Sequence, residues 1–338
     1  MSSPVDTSRR RFLRQSFAFS ALATLGSFAP LANALAPDGA AAEILMIGDW
    51  GYDKTQEGQV AVAAGMRKYV QQHSIRPEAF LLLGDNWYGA LEGGAKSPRW
   101  KTQFEDVYPK EDFNCPAYAI LGNHDYQTWP GNKVQDELEY ARSGQSRFTM
   151  PARWYTFEFP KKNPLITFIA LDSNVPHANG APSHGRDFTL TQQEHEEQVA
   201  WLESELKKPR NTPYLVVMGH HPVYSDGPHG DHAVLIRDWD PLFRKYGVQL
   251  YLAGHDHDLQ HLEFEGHPTS FFLSGGGGAD LYTLKIQQSE RGPYAEKVYG
   301  FSHVSVTRDK MTLRHLDSEG KLLHAFSRTP EGKVSIAG

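Results

Sequence analysis

Five short clusters of metal-binding side-chain types occur in this sequence, and each directly follows a short apolar run. They are the segments 48–51 (GDWG), 84–88 (GDNWY), 122–125 (GNHD), 219–222 (GHHP) and 254–257 (GHDH). A single Gly-Asp pair at such a place is usually a turn, because glycine tolerates positive φ and aspartate bonds its own backbone. Five clusters rich in Asp, Asn, His and Tyr are hard to explain as turns, and together they indicate one site.

The side-chain types in these clusters select a class of metal. None of the clusters contains cysteine, which excludes a thiolate zinc or iron–sulfur centre. Carboxylate, imidazole, amide and phenolate ligands favour iron, manganese or zinc. Seven candidate ligands are too many for a single ion and enough for two, so the sequence predicts a two-metal centre.

The apolar runs before the clusters have the length and composition of strands buried on both faces. The predicted strands are residues 44–47, 80–83, 118–121, 165–171, 214–218, 250–253 and 271–273, and the predicted helices are 59–72, 191–207 and 238–246. This alternation indicates an α/β fold, in which ligands bind beyond the carboxyl ends of strands. Antiparallel strands at 299–306, 311–316 and 322–326 are expected in a second sheet packed on the first, within a single domain.

The N-terminus resembles an export signal rather than part of the fold. Adjacent arginines in 8–14 (SRRRFLR) precede a mostly apolar stretch at 17–35, an order typical of a twin-arginine signal. That stretch contains Ser, Thr, Gly and Pro and is poor for a stable membrane span. Cleavage fits after Ala34 or Ala36, and Pro37 disfavours the second. We expect a signal peptide at 1–36, a catalytic domain at 37–338, export by the twin-arginine machinery, and a periplasmic or secreted protein.

Composition excludes several classes of partner. The net charge of −6 argues against a general nucleic-acid or anionic-membrane binder, since those need a basic face. The single cysteine, Cys115, cannot form an intramolecular disulfide and is expected to be buried. The glycine run at 275–278 lacks the lysine of a P-loop, which excludes nucleotide binding of that kind.

The five clusters resemble those of the metallophosphoesterases, and the resemblance covers nearly the whole mature chain. Tyr88, three residues after Asp85, makes the sequence similar to the purple acid phosphatases of the small tartrate-resistant type. Trp154-Tyr155 ahead of a strand, the segment 171–173 (LDS) and the segment 300–304 (GFSHV) are similar as well. The resemblance implies a double β-sheet sandwich flanked by helices.

The resemblance also implies a role for each cluster residue. Fe(III) would be held by Asp49, Asp85, Tyr88 and His257, and a divalent Fe, Zn or Mn ion by Asp85, Asn123, His220 and His255. His124 and His229 would lie on the substrate side. His221 stands where the family usually has an aromatic residue, so His220 and His221 are alternatives, with Pro222 favouring His220.

The implied activity is hydrolysis of a small phosphate monoester by a hydroxide nucleophile on the metal pair, with the leaving group protonated by His124, His229 or both. A phosphodiesterase with the same metals and a non-catalytic phosphate- or metal-binding protein are the alternatives. Beyond the ligands, Asp125 is expected to orient His124, and Asp172 to be structural. Four histidines are expected at the surface: His73, His195, His315 and His324.

Overall fold

The structure, a computed structural model, describes residues 41–127, 131–176, 189–285 and 291–337. The predicted signal peptide at 1–36 lies outside the described residues. Within those four ranges, no helix combines the length and the apolar character that crossing a membrane would require. Cys115 is buried, as the sequence predicts.

Two mixed β-sheets form the centre of the molecule. Numbered along the chain, the strands of the first sheet are β1 (Ala42–Ile47), β2 (Ala79–Leu82), β3 (Ala117–Ala119), β4 (Phe148–Thr149), β12 (Gly300–Val306), β13 (Met311–Asp317), β14 (Leu322–Arg328) and β15 (Val334–Ile336). Those of the second are β5 (Tyr155–Phe159), β6 (Ile166–Ala170), β7 (Tyr214–Met218), β8 (Leu250–Ala253), β9 (Leu259–Leu262), β10 (Ser270–Ser274) and β11 (Tyr294–Glu296). All seven predicted apolar runs therefore form strands.

The strands that carry the clusters run parallel within each sheet. The first sheet has the order β15-β14-β13-β12-β1-β2-β3-β4, and β1 to β4 are parallel to one another. The second has the order β11-β9-β10-β8-β7-β6-β5, and β6, β7, β8 and β10 are parallel. The carboxyl ends of parallel neighbours lie at one edge of a sheet, so each sheet brings its clusters together.

The prediction that the C-terminal strands belong to a second sheet is wrong. β12 pairs antiparallel with β1, from Ala42↔Val306 to Met46↔Ser302, so β12 to β15 extend the first sheet. Because β2 satisfies the backbone groups along only one side of β1, the other side needs a strand partner, and β12 supplies it. The second sheet is built instead from strands between residues 155 and 296.

Helices accompany the two sheets. They are α1 (Glu57–Gln72), α2 (Asn123–Tyr126), α3 (Val134–Arg142), α4 (Gln192–Lys207), α5 (Ala233–Asp238) and α6 (Asp240–Tyr246), with a 3₁₀ turn at Gly94–Lys96 and a π-helical turn at Trp100–Glu105. Thr191 caps α4 as predicted and accepts a hydrogen bond from the Glu194 N–H at 3.2 Å. The helix predicted at 238–246 is confirmed as α6, which begins at Asp240 and has Pro241 in its first turn, where the missing N–H of proline is tolerated. The adjacent short helix α5 was not predicted.

The apolar core has two large parts. The first includes the space between the sheets and the contacts of the first sheet with α1, and the second lies between the second sheet and its helices. Neighbours in β7 show the division, because Val216 belongs to the inter-sheet core and Val217 to the outer part, as expected for alternating strand positions. Leu202 of α4 and Phe243 of α6 complete the outer part. Each fully buried side chain of this size contributes about 1.5–3 kcal/mol to folding.

Three of the four histidines predicted at the surface are buried instead. His195, His315 and His324 are 2%, 0% and 8% exposed, whereas His73 is partly exposed. Each buried ring has a polar partner, for example Asp238 Oδ2 at 2.8 Å from His195 Nε2. Such partners come from segments distant along the chain, so the sequence by itself does not reveal them.

Candidate metal centre

The loops that follow β1, β2, β3, β7 and β8 meet at the carboxyl edges of the two sheets. Backbone hydrogen bonds join them directly, including Asp49 N–H to Gly84 O at 3.0 Å and Gly254 N–H to His220 O at 3.0 Å. The Gly48 N–H also donates to Ser274 O, at the end of β10, at 2.6 Å. The five clusters therefore lie around one point, as the sequence predicts.

Three residues in these loops have a left-handed backbone that is uncommon outside glycine. Asp49, Asp85 and His255 have φ values of 59°, 50° and 70°. Such conformations cost free energy and persist where surrounding bonds hold them. Here the His255 N–H donates to Asp49 Oδ2 at 2.9 Å, and the His124 N–H donates to Asp85 Oδ1 at 2.8 Å. The loop backbones and the carboxylates thus hold one another in place.

A first group of donor atoms gathers around the hydroxyl of Tyr88. Tyr88 OH lies 3.0 Å from Asp85 Oδ2, 3.3 Å from Asp49 Oδ1 and 3.1 Å from His257 Nε2. Ligand atoms of Asp49, Asp85 and His257 lie within 4.8 Å of one another, and all three residues are buried. Two carboxylates, one phenol and one imidazole therefore surround a space of the size that one ion needs.

A second group gathers around the amide oxygen of Asn123. His220 Nε2 lies 3.2 Å from Asn123 Oδ1, and His255 Nδ1 lies 2.9 Å from the same oxygen. Asp85 Oδ1 is 3.4 Å from His220 Nε2. Asp85 thus turns Oδ2 toward the first group and Oδ1 toward the second, which is the placement of a bridging carboxylate.

The hydrogen bonds behind the imidazoles fit a metal site. His220 Nδ1 faces Leu83 O at 2.8 Å, and His257 Nδ1 faces Asp280 O at 2.6 Å. A carbonyl can only accept, so each Nδ1 carries a hydrogen, and Nε2 is the ring atom left to bind either a proton or a metal ion. His220 Nε2 faces the oxygens of Asn123 and Asp85, an arrangement that a cation at Nε2 stabilises. This donor set suits hard or borderline ions.

The buried carboxylates of the site favour a bound cation. Burial opposes a positive His220, yet the Asp85 carboxylate raises the pKa of His220 to about 10. Burial, followed by Asp85 and Asp49, raises the pKa of Tyr88 well above its usual value, so the phenol does not ionise by itself. A centre that attracts a proton this strongly also attracts a metal ion, and Tyr88 would ionise only beside a highly charged one.

Both predicted substrate-side histidines lie at the open rim of these groups. His124 stacks on Tyr88 with ring centres 4.0 Å apart, and its Nε2 lies 4.0 Å from Asp85 Oδ2. The His229 ring lies 4.2 Å from that of His255. The side chain of His124 is 26% exposed and that of His229 is 45% exposed, so both remain accessible to a ligand.

The structure places His220 and His221 in different surroundings. His220 faces the donor groups, whereas His221 Nδ1 lies 2.8 Å from Ser173 Oγ. The His221 ring packs against His255 with ring centres 4.3 Å apart. His221 is therefore a packing neighbour of the second group.

The expected role of Asp125 is wrong, because its carboxylate binds backbone rather than the His124 ring. It accepts N–H bonds from Gly122 at 2.8 Å, Trp87 at 2.9 Å and Asn86 at 3.2 Å. These donors belong to the loops after β2 and β3, so Asp125 fastens the two loops together. Asp172 bonds Tyr126 and Asn174 and lies outside the donor groups, in line with a structural role.

Asp256 contacts the predicted substrate-side histidine His229, although the sequence analysis did not single it out. Its Oδ1 lies 2.5 Å from His229 Nδ1, and its Oδ2 accepts a hydrogen bond from the Ser225 hydroxyl. Its place between His255 and His257 in the fifth cluster is a signal that could have identified it.

Comparison with known proteins agrees with this geometry. Residues 42–259 match the calcineurin-like phosphoesterase family. The chain is 30% identical to human tartrate-resistant acid phosphatase type 5 over 85% of this chain and 91% of that protein. Two solved structures share the fold. GAP50, the anchor in the inner membrane complex of Plasmodium, has a TM-score of 0.68 and 23% identity, over 84% of this chain and 87% of that chain. Purple acid phosphatase PPD1 from yellow lupin seeds has a TM-score of 0.64 and 16% identity, over 86% of this chain and 54% of that chain. The chain therefore belongs to the calcineurin-like phosphoesterases, as a metal-site hydrolase homologous to the tartrate-resistant acid phosphatases.

Proposed function

We propose that this protein is an exported acid phosphatase that hydrolyses phosphate monoesters at a binuclear Fe(III)/M(II) centre, where M is Fe, Zn or Mn. The observation that carries the proposal is Asp85, whose two oxygens face two separate donor groups. One carboxylate shared in this way is what a pair of adjacent ions requires, and phosphoester hydrolysis commonly uses such a pair.

The composition of the two donor groups supports a proposed position for each ion. Fe(III) would be held by Asp49, Asp85, Tyr88 and His257, because this group has the greater number of anionic oxygens. The divalent ion would be held by Asp85, Asn123, His220 and His255, where neutral imidazole and amide donors predominate. When bound, the ion pair supplies positive charge that attracts the phosphoryl group and lowers the pKa of water, so that hydroxide is available at acidic pH.

The protein's own residues bind the ester and move the proton. The carboxylate of Asp256 accepts the Nδ1 hydrogen of His229 and so leaves Nε2 as the atom able to protonate the leaving alkoxide. His124 lies on the Tyr88 ring with its Nε2 4.0 Å from Asp85 Oδ2, and it is a second group that can donate a proton. As cations, both rings would also stabilise charge on the phosphoryl oxygens.

Export is the second part of the proposal. The arginines at 9–11 followed by an apolar stretch support passage by the twin-arginine machinery, which carries folded proteins. The mature protein would then act in the periplasm or outside the cell on a small phosphorylated substrate.

A comparison of ester classes tests the activity directly. We expect hydrolysis of nitrophenyl phosphate at acidic pH, with much slower hydrolysis of the bis-ester of the same leaving group. His124→Gln and His229→Gln should each lower kcat by about 10²–10⁴ for an alkyl ester, which needs protonation, and by less for nitrophenyl phosphate. His73→Gln, outside the donor groups, serves as the matched control.

Two outcomes would contradict the proposal. Faster hydrolysis of the bis-ester would indicate a phosphodiesterase on the same metal core. A coloured, metal-containing protein without hydrolysis at any pH would indicate a phosphate- or metal-binding protein.

A further inference from the structure

Tyr282 lies beside the centre on a segment that the five clusters do not include. This segment follows the glycine run at 275–278 and is fastened to the site by backbone bonds. The Ala279 N–H donates to Asp49 O at 3.0 Å, and the Tyr282 N–H donates to His257 O at 3.2 Å. The backbone around Tyr282 is thus tied to two of the residues proposed to hold iron.

The Tyr282 ring fills the space between the first donor group and His229. It stacks on His257 with ring centres 4.0 Å apart and an angle of 12° between planes. It meets His229 edge to face at 5.4 Å. Packing against two rings limits the rotation of the side chain and gives the hydroxyl a defined direction.

The Tyr282 side chain lies between a proposed iron ligand and a proposed proton donor, because its ring contacts both His257 and His229. Among the described residues, none forms a hydrogen bond with the Tyr282 hydroxyl, unlike Tyr52, which donates to Asp280. A protonated phenol at the cleft therefore has a hydrogen to donate.

We propose that Tyr282 is a substrate-binding residue whose hydroxyl donates a hydrogen bond to a phosphoryl oxygen of the ester, between the metal pair and His229. The proposal rests on the proposed function, because the phosphoryl group must lie at the two donor groups. It adds a neutral donor to the positive charges that attract the phosphate. The bond is made to a phosphoryl oxygen both before and during reaction, so its removal should raise KM with little change in kcat.

The test compares wild type with Tyr282→Phe as purified, metal-loaded full-length proteins. Phenylalanine keeps the stack on His257 and removes only the hydroxyl, so metal content and visible spectrum should stay unchanged. The Kd for inorganic phosphate, measured by calorimetry, should rise about tenfold, with a similar rise in KM for a monoester. Tyr246→Phe is the matched control, because its hydroxyl bonds Glu203 away from the donor groups.

Each alternative outcome has a separate meaning. Unchanged phosphate affinity in Tyr282→Phe, with wild type hydrolysing monoesters, would overturn this proposal and leave the proposed function standing. A change in KM for one leaving group without a change in phosphate affinity would place the hydroxyl against the leaving group instead, and would also overturn it. Wild-type protein that binds neither metal nor phosphate would overturn both proposals.

Discussion

Histidine rings in the centre are oriented by hydrogen bonds at the ring nitrogen that faces away from the donor groups. Carbonyl oxygens of Leu83 and Asp280 orient His220 and His257, and the carboxylate of Asp256 orients His229. Such supporting groups matter because a ring rotated away from its lone-pair direction cannot bind an ion or transfer a proton in line. A substitution behind the centre should therefore affect function as clearly as one within it.

Asp125 provides the most direct test of this support. Asp125→Asn replaces one carboxylate oxygen with an NH₂ group that cannot accept, so either the Trp87 N–H or the N–H groups of Gly122 and Asn86 lose their acceptor. We expect a loss of about 2–4 kcal/mol in the free energy of unfolding, because buried donors lose their acceptor, together with a reduced metal content. Chemical denaturation and metal analysis would measure both effects.

The control for this prediction is Asp112→Asn, at a partly exposed carboxylate that accepts one bond from Gln71 at 3.1 Å. It should change stability by less than about 0.5 kcal/mol. If Asp125→Asn behaved like the control, the two loops would not depend on this carboxylate.

The sequence predicted which side chains lie in the centre better than it predicted which groups each of them contacts. The clusters after the strands indicated which side chains meet, because the carboxyl ends of parallel strands share an edge. The sequence did not indicate Tyr282, since a lone tyrosine after a glycine run carries no pattern. It also misassigned Asp125, because the difference between binding a ring and binding backbone depends on loop geometry.

Within the first sheet, β1 lies between β12 and β2. The wrong prediction that the C-terminal strands form a separate sheet shows how this position arises. The apolar pattern of residues 299–326 indicated strands correctly, but pairing depends on which strand edge is free. β12 pairs along the open side of β1 and so joins the N-terminal and C-terminal parts of the chain. Long-range pairing of this kind leaves no local trace in the sequence.

The interface between the two sheets contains a group of buried histidines. His261 Nδ1 lies 2.9 Å from His324 Nε2, and His315 stacks on Phe272 with ring centres 3.9 Å apart. Burial, followed by the neighbouring His261, lowers the pKa of His324 to about 3. These rings are neutral in the folded protein at neutral pH, which lets them pack between apolar neighbours.

This arrangement predicts a defined pH dependence of stability. The unfolded chain protonates His324 near pH 6.5, whereas the folded protein does so near pH 3, so the unfolded state binds more protons between these values. The free energy of unfolding should therefore fall as the pH drops below 6.5 and level off above it. Between pH 7 and pH 5 the loss due to His324 should be about 2 kcal/mol.

The variant His324→Leu isolates this contribution. It should lower stability at pH 7, because His261 loses a partner, but it should lose about 2 kcal/mol less than wild type between pH 7 and pH 5. Urea denaturation at both pH values would measure this difference. An identical pH dependence in the two proteins would show that His324 is not held neutral between the sheets.

For the molecule as a whole, the negative net charge of the chain is opposite in sign to the charge expected at the proposed metal pair. The chain carries a net charge of −6, yet the proposed metal pair would make the cleft positive at contact distance. The acidic surface is consistent with a small anionic substrate that enters a positive cleft, rather than with a polyanion that binds along a surface.

The proposed export can be tested on the intact precursor. Replacing the arginines at 9–11 with lysine keeps the charge but removes the arginine pair, so the protein should remain uncleaved in the cytoplasm. Cell fractionation and the N-terminal sequence of the exported protein would measure this, with Arg14→Lys as the control. Equal export of both variants would contradict a twin-arginine route.

The central claim is that loops from two sheets hold two ions, the ferric one through a phenolate oxygen. Its most direct test is metal analysis combined with the visible spectrum of the purified protein and of Tyr88→Phe. We expect two metal ions per chain, including iron, and an absorption band that disappears in the variant. A folded wild type without bound metal, or a band unchanged by the loss of the Tyr88 hydroxyl, would contradict the claim.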